Sequence, residues 1–229
     1  MTTSPPPAAW KPLDPTQRRV LGVLIEKAMT TPAGYPMTAN AIVTGCNQKN
    51  NRDPITALDD TDVGNALLEL GELGAVMEID WMGRSNKYKH KAYEWLGVSK
   101  AELAVLAELL LRGAQQLGEL RARADRMEPI ADLAALKPVV DSLVQRGLVV
   151  ELTPAGRGQM VTHGLGQPGE QQAPVSPPAE PPGRGAAVER REHGGASGGE
   201  IAELRAEIAR LGERILRLEA RRGDASGEN

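Results

Sequence analysis

Residues 60–93 have the sequence DTDVGNALLELGELGAVMEIDWMGRSNKYKHKAY, in which a helical pattern is followed by a hairpin pattern. Its first part places apolar residues at helical spacing, which predicts a helix that Asp60 caps and Gly74 ends. Polar and apolar residues then alternate on both sides of a turn at 82–86, which predicts a β-hairpin. The side chains expected on the inner face of the helix are Val63, Ala66, Leu67, Leu70 and Leu73. In the first strand, Met77, Ile79 and Trp81 alternate with Glu78 and Asp80.

Two further helices are predicted before this stretch. Asp14-Pro15-Thr16-Gln17 has the composition of a capping box with proline at the first helical position, and apolar residues follow it at helical spacing. Thr38 is the expected cap of a short second helix. Three helices followed by a hairpin is the order of a winged helix, in which the hairpin is the wing. We therefore predict a first winged-helix domain over residues 14–97.

The same order recurs after residue 98. Ser99-Lys100-Ala101-Glu102 predicts another capping box, and a third helix that begins near Ala135 would hold Pro138 in its first turn. In both halves the third helix is expected to end at a glycine before a strand, as in Leu73-Gly74-Ala75-Val76 and Arg146-Gly147-Leu148-Val149. The predicted fold class is mainly α with small β-hairpins (α+β), built from two tandem winged-helix domains, the second over residues 98–165.

The remaining segments have different compositions. We expect disorder in the N-terminus at 1–13, in a Gly- and Pro-rich linker at 166–199 and in the tail at 223–229. Residues 200–222 are predicted to form a coiled-coil helix that pairs as a weak parallel homodimer, because Ile and Leu alternate at steps of three and four. The alternatives are a helix that packs on the chain's own domains or on another protein. The predicted oligomerisation residues are Ile201, Leu204, Ile208, Leu211, Ile215 and Leu218.

Three motifs of the first half resemble the YceH-like family of uncharacterised bacterial proteins. They are Val20-Leu21-Gly22-Val23-Leu24-Ile25-Glu26-Lys27, Tyr35-Pro36 after Thr30-Thr31-Pro32, and Cys46-Asn47-Gln48-Lys49-Asn50-Asn51-Arg52-Asp53-Pro54. The last run is the most specific, and the resemblance covers about residues 14 to 165. It implies two winged-helix domains and implies no particular activity. The second wing, at Gly156-Arg157-Gly158-Gln159, is shorter than the family pattern, and the linker and terminal helix lie outside the match.

Composition and charge exclude several classes of protein. The 229 residues carry a formal net charge of −3 and a single cysteine, so a disulfide-stapled secreted scaffold is excluded. No apolar stretch approaches the roughly 20 residues that span a bilayer, and the proline-rich start does not resemble a signal peptide. We therefore expect a cytoplasmic protein with no membrane association.

Nucleic-acid binding is the usual hypothesis for a winged helix, and charge tests it. Residues 1–98 contain 10 basic and 11 acidic side chains, and residues 99–165 contain eight of each. The predicted third helix of domain 1 has no Lys or Arg and carries acids at its start, which opposes insertion into DNA. The hairpin offers the contrary evidence, with Arg84 at its tip and Lys87, Lys89 and Lys91 spaced about 6.6 Å apart on one face. Alternatively, these lysines protect an edge strand from aggregation.

The segment Asn47 to Arg52 is the second candidate surface. Its amides and cations can pair with bases or phosphates, or with another anion or a protein backbone. Alternatively, part of the run only ends the second helix, because asparagine tolerates left-handed geometry. The candidate nucleic-acid-binding residues are Arg84, Lys87, Lys89, Lys91, Asn47, Gln48, Lys49, Asn51 and Arg52.

Catalytic patterns are missing from the sequence. Cys46 lies on the apolar side of the second helix, which predicts a buried structural thiol, and no Cys/His cluster has zinc-ligand spacing. We predict a protein that is not an enzyme, with no catalytic residues, cofactor or metal. Its partner is predicted to be a nucleic acid, bound through the wing and the 47–52 loop. The alternative is a protein-interaction adaptor that uses the acidic third helix around Leu68 and Glu69.

Overall fold

The computed structural model describes residues 10–80 and 85–167. Several predicted features therefore lie outside the described residues: Arg84 at the hairpin tip, residues 1–9 of the N-terminus, residues 168–199 of the linker, the coiled-coil helix at 200–222 and the tail. None of the helices in the described ranges has the length and apolar character of a membrane-spanning segment. The described part is a mixed α/β structure with small antiparallel sheets.

The first half of the described chain, residues 10–98, has three main helices and a hairpin. Its elements are α1 (Pro15–Thr30), a 3-10 turn (Pro32–Gly34), β1 (Met37–Thr38), α2 (Ala39–Cys46), α3 (Asp60–Glu72), β2 (Val76–Ile79), β3 (Lys87–His90) and α4 (Ala92–Leu96). The three strands form an antiparallel sheet in the order β1-β3-β2. The central strand is therefore the last of the three along the chain.

The second half, residues 99–167, repeats this order. Its elements are α5 (Lys100–Arg112), β4 (Gln115–Gln116), α6 (Leu117–Ala124), α7 (Leu133–Gln145), β5 (Val149–Glu151) and β6 (Met160–His163). The sheet order β4-β6-β5 matches that of the first half position by position. The predicted layout of three helices followed by a hairpin is thus present in both halves.

The predicted capping boxes are confirmed. The Asp14 side chain accepts a hydrogen bond from the Gln17 amide at 2.9 Å, and the Gln17 side-chain carbonyl accepts one from the Asp14 amide at 3.0 Å. Ser99 and Glu102 make the same reciprocal pair at the start of α5. These local contacts satisfy amides that a helix start leaves without partners, which explains where both helices begin.

Two helix starts differ from the prediction. Asp59, not Asp60, caps α3, because its carboxylate accepts from the amides of Thr61 and Asp62. In the second half α7 begins at Leu133, so that Pro138 lies in the second turn rather than the first. Pro138 is exposed, so water can reach the carbonyl that loses its helical partner there.

The hairpin of the first half also differs in two respects. β3 ends at His90, so Lys91 lies outside the strand and precedes α4 as its N-cap residue. In β2 the buried residue is Val76 and Met77 is exposed, whereas the predicted alternation began its apolar positions at Met77. Both Val76 and Met77 are apolar, and alternation alone therefore did not identify the inner face.

Helix α1 lies at the centre of the described structure. Every residue from Gln17 to Glu26 is buried, whereas the sequence predicted a single apolar stripe. The reason is that α1 packs on α2 and α3 in its own half and on α5 in the other half. Gly22 permits this close approach, since a Cβ there would lie 3.0 Å from Leu111 Cδ2. The two halves share one hydrophobic core, and their division into separate domains at residue 98 stays a prediction.

Candidate functional site

The lysines of the hairpin share the outer face of the first sheet. Lys87 is directly opposite Ile79, and Lys89 is directly opposite Met77. Directly opposed residues point to the same side of a sheet, so both lysines lie on the side where Met77 is exposed. β3 is the central strand, paired through Lys87 with Thr38 of β1. Protection of an edge strand is therefore not the explanation for these lysines.

His90, the last residue of β3, adds no positive charge to this face. Its ring lies between those of Tyr35 and Tyr93, with centroids 6.0 and 5.7 Å away. Burial lowers the pKa of His90 to about 4, although Glu94 acts in the opposite direction. His90 is therefore neutral at neutral pH, and the Tyr35 hydroxyl anchors its backbone by accepting from the His90 amide at 2.6 Å.

Arg52, a candidate in the 47–52 loop, is turned inward. Its side chain is 0% exposed and donates to Glu26 Oε2 at 2.6 Å and to the carbonyl of Gly45 at 3.0 Å. Further hydrogen bonds reach the Asn51 carbonyl and the Gln48 side chain. Arg52 therefore donates four hydrogen bonds inside the protein, and these hold the loop against α1 and α2.

Asn47 and Asn51 also shape the loop. The Asn47 side chain donates to the Leu58 carbonyl at 2.7 Å and accepts from the Leu58 amide at 2.9 Å, which joins the two ends of the loop. Asn51 has φ = 58°, in the left-handed region that asparagine tolerates. Lys49 and Asn50 are exposed, so they form the part of this loop that faces solvent.

A buried ionic network that the sequence analysis missed joins the two halves. Glu26 of α1 contacts Arg52, Lys27 (3.1 Å) and Arg126 (3.4 Å). Arg126, which follows α6, also contacts Glu108 of α5 at 3.1 Å. One sign of this network is visible in the sequence, which is that Glu26 is an acid within an apolar helical run. Its partners could not be identified from the sequence, because they come from segments far apart in the chain.

The charge of Glu26 is stabilised by these cations. Burial by itself raises the pKa of this carboxyl, but Arg52, with lesser help from Arg126 and Lys27, outweighs burial and brings the pKa below its ordinary value. Glu26 is therefore ionised at neutral pH in spite of its burial. A buried carboxylate of this kind depends on its partners, because each partner offsets part of the cost of removing the charge from water.

Helix α3 exposes an acidic face with one large apolar side chain. Thr61, Asn65, Leu68 and Glu72 follow one another at helical spacing and are all exposed, and Leu68 is 66% exposed. Neighbouring Glu69 accepts from the Gln17 side chain at 2.6 Å. Among the described residues, Glu72 has no hydrogen bond or ion pair. The predicted outward face of this helix is therefore confirmed.

Cys46 is buried, as predicted. Its thiol is 0% exposed, and burial raises its pKa to about 12, against the influence of Arg19 and Arg52. The thiol is therefore protonated at neutral pH and a poor nucleophile. Within residues 10–80 and 85–167, no group of three His, Cys, Asp or Glu side chains is arranged to hold a metal ion.

Comparisons with known proteins match the region that contains both halves. The family described as "Protein of unknown function, DUF480" matches residues 13–157. A UPF0502 protein from Rhodopirellula baltica is 53% identical over 161 residues, which cover 70% of this chain and 68% of the relative. A UPF0502 protein from Geobacter sulfurreducens is 51% identical over 134 residues (58% of this chain, 61% of the relative). One from Pelobacter propionicus is 53% identical over 137 residues (59% and 62%).

Proposed function

The chain belongs to the DUF480 family, and from this premise we propose that it is a tandem winged-helix protein that acts by binding another protein through α3. The winged-helix assignment is supported by the repeated element order and by the matching strand orders β1-β3-β2 and β4-β6-β5. A binding role, rather than catalysis, is supported by the protonated Cys46 and the neutral, half-buried His90. The resemblance to the YceH-like family agrees with the family assignment.

The observation that carries the proposal is the exposure of Leu68 among acids. A leucine that leaves 66% of its surface in water on a helix is a suitable anchor for an interface, since its burial is favourable by about 25 cal/mol per Å². Asp59, Asp60 and Asp62 precede this anchor at the start of α3 and Glu72 follows it, so the helix carries negative charge on both sides of Leu68. The complementary partner is a basic protein segment that presents an apolar pocket to Leu68.

The same face opposes the usual mode of DNA binding. In a winged helix the third helix is the one that enters the major groove, where phosphates surround it. The exposed carboxylates of α3 would face those phosphates with like charge. In the second half, the only Lys of α7 is Lys137, which pairs with Asp141 at 3.0 Å. Neither third helix therefore supports insertion into nucleic acid.

The proposal is tested by site-specific photo-crosslinking in the producing organism. A photoreactive amino acid at position 68 is expected to yield a protein adduct, and the same residue at the exposed position Gln145 of α7 is the matched control. Adding the substitution Glu72→Lys should weaken the adduct at position 68, because the partner is basic. Equal adducts at both positions, or none at position 68, would contradict the proposal.

Nucleic-acid binding through the first hairpin is the second candidate, and the shared outer face of Lys87 and Lys89 favours it. Exposed Lys49 could extend such a surface, whereas Arg52 and Asn47 are engaged internally. The test is the salt dependence of binding to mixed-sequence duplex DNA. Lys87→Ala together with Lys89→Ala should lower the slope of log K against log salt by about 1.8, with Lys137→Ala as the control. An unchanged slope would show that Lys87 and Lys89 do not contact the DNA phosphates.

A further inference from the structure

A pocket of about 160 Å³ lies where the two halves meet. It is bounded by the start of α1, the loop that follows Arg52, the end of α5 and the last residue of β6. Its lining residues are Pro15, Thr16, Arg18, Arg19, Asp53, Pro54, Thr56, Leu58, Leu110, Gly113 and His163. Neither candidate surface for macromolecules contributes to it, so an inference about this pocket is independent of the proposed function.

Arg19 is the central charge of this pocket. It is 4% exposed, and its guanidinium donates to the Pro54 carbonyl at 2.6 Å and, at 3.4 Å, to the Cys46 carbonyl. None of the ion pairs within the described residues involves Arg19, although buried charges in proteins are normally paired. The described part of the chain thus provides carbonyl oxygens but no directly bonded carboxylate for this cation.

The surroundings of Arg19 leave its charge undercompensated. Burial and then the positive charge of Arg52 lower the pKa of Arg19, and the attraction of Asp53 is weaker than that repulsion. Asp53 is the one carboxylate among the described lining residues, and it is exposed at the rim. Arg18 also lines the pocket, but it is already engaged with the Leu13 carbonyl at 2.6 Å. An anion in the pocket would supply Arg19 with the counter-charge that it lacks.

The volume and the apolar walls limit what this anion can be. A cavity of about 150 Å³ accommodates a molecule the size of benzene, so the pocket has room for about six non-hydrogen atoms. Pro15, Pro54, Leu58 and Leu110 give it apolar walls, which favour a hydrocarbon tail over a fully hydrated ion. A carboxylate on a chain of about three carbons satisfies both the charge and the size.

We propose that this pocket is a binding site for a short aliphatic carboxylate, whose charged group pairs with Arg19 and whose tail packs against Leu58 and Leu110. The carboxylate would contact residues of both halves at once, since Arg19 and Leu58 belong to the first half and Leu110 and His163 to the second. Binding would therefore stabilise the junction between the halves.

The test uses the full chain with n-butyrate as the probe and n-butyramide, its uncharged isostere, as the control at equal ionic strength. At ten times the dissociation constant, butyrate should raise the melting temperature by about 3–6 °C, and butyramide should not. Arg19→Gln should weaken butyrate binding at least about ten-fold, whereas Arg123→Gln, which removes an arginine outside the pocket, should leave binding unchanged.

A measurement on the unmodified protein keeps the proposal testable if Arg19→Gln does not fold. In an NMR titration with butyrate, the amide signals of Thr16, Thr56, Gly113 and His163 should shift together and saturate, and signals from α7 should not move. Equal responses to butyrate and butyramide, or no saturable shift at the lining residues, would overturn the proposal. Saturation by inorganic phosphate but not by butyrate would also overturn it, because the apolar walls would then have no role.

Discussion

Replacing Arg52 by methionine should destabilise the protein more than any exposed substitution in the same loop. The change keeps much of the apolar stem of the side chain but shortens it and removes the guanidinium, which donates to Glu26, Gly45, Asn51 and Gln48. Glu26 would then be a buried carboxylate without its shortest ion pair, and the carbonyl of Gly45 would lose its hydrogen bond. The size of the destabilisation therefore depends on the partners that remain around Glu26.

The expected magnitude follows from what remains around Glu26. Breaking a fully buried ion pair by removing one partner costs about 3–5 kcal/mol. Glu26 keeps Lys27 at 3.1 Å and Arg126 at 3.4 Å, and both are partly exposed, so we expect the lower end, about 3 kcal/mol. For a chain of this size that loss corresponds to a fall in melting temperature of about 6–12 °C.

Urea denaturation of four proteins measures this effect: the wild type, Arg52→Met, Glu26→Gln and the double variant. Because the two side chains bond directly, their effects should not add. The double variant should lose about 2 kcal/mol less unfolding free energy than the two single variants lose together. Lys49→Met is the matched control in the exposed part of the loop, where we expect a change within about 0.5 kcal/mol. A loss of stability for Arg52→Met as small as for Lys49→Met, or strict additivity in the cycle, would contradict a stabilising Arg52–Glu26 pair.

The ion pair between Glu26 and Arg52 should also make the stability of the protein depend on pH. Because the folded protein lowers the pKa of Glu26, the unfolded chain binds this proton more readily, and ionised Glu26 stabilises the fold. That contribution is complete above the ordinary pKa of a glutamate and is lost as pH falls through the lower folded value. The free-energy difference between wild type and Glu26→Gln, measured by urea denaturation, should therefore shrink as pH falls through this range.

Three further predictions concern backbone and assembly. Gly164→Ala should destabilise the fold severely, because the new Cβ would clash with the Gly147 carbonyl oxygen. Gly118→Ala is the control and should be tolerated, because its Cβ would meet no atom within 4 Å. Thermal denaturation compares the melting temperatures of the two variants. Pro138→Ala should stabilise the protein by about 1 kcal/mol or more in urea denaturation, since it restores a hydrogen bond inside α7. A chain that ends at residue 199 should sediment as a monomer if residues 200–222 form the predicted coiled coil, and a persistent dimer would contradict that pairing.

The helix starts were predictable because their causes are local. Asp14 and Ser99 each bond to an amide three residues ahead, so the residues that decide the structure stand together in the sequence. The one-residue difference at α3 has the same origin, since several aspartates there can act as caps and only their geometry selects Asp59. Local chemistry thus explains both the agreement and the small differences.

The inward orientation of Arg52 was not predictable by the same means. Its partner Glu26 lies in α1, 26 residues earlier, and nothing in the loop distinguishes this arginine from exposed Lys49. The full burial of α1 has a similar cause, because it depends on α5 from the other half. The outward face of α3 around Leu68 was predictable, since helical spacing alone separates it from the buried residues.

The position of α1 between α2, α3 and α5 also governs how the protein can be studied in pieces. A fragment that stops at residue 98 would lack α5 and would expose the side of α1 that contains Gly22. Apolar surface that is buried in the intact protein would then contact water. We expect such a fragment to aggregate, or to self-associate so that another copy covers the surface that α5 normally covers. Assays on separated halves would thus measure the effects of misfolding. Point substitutions in the intact chain are the appropriate way to assign a role to either half.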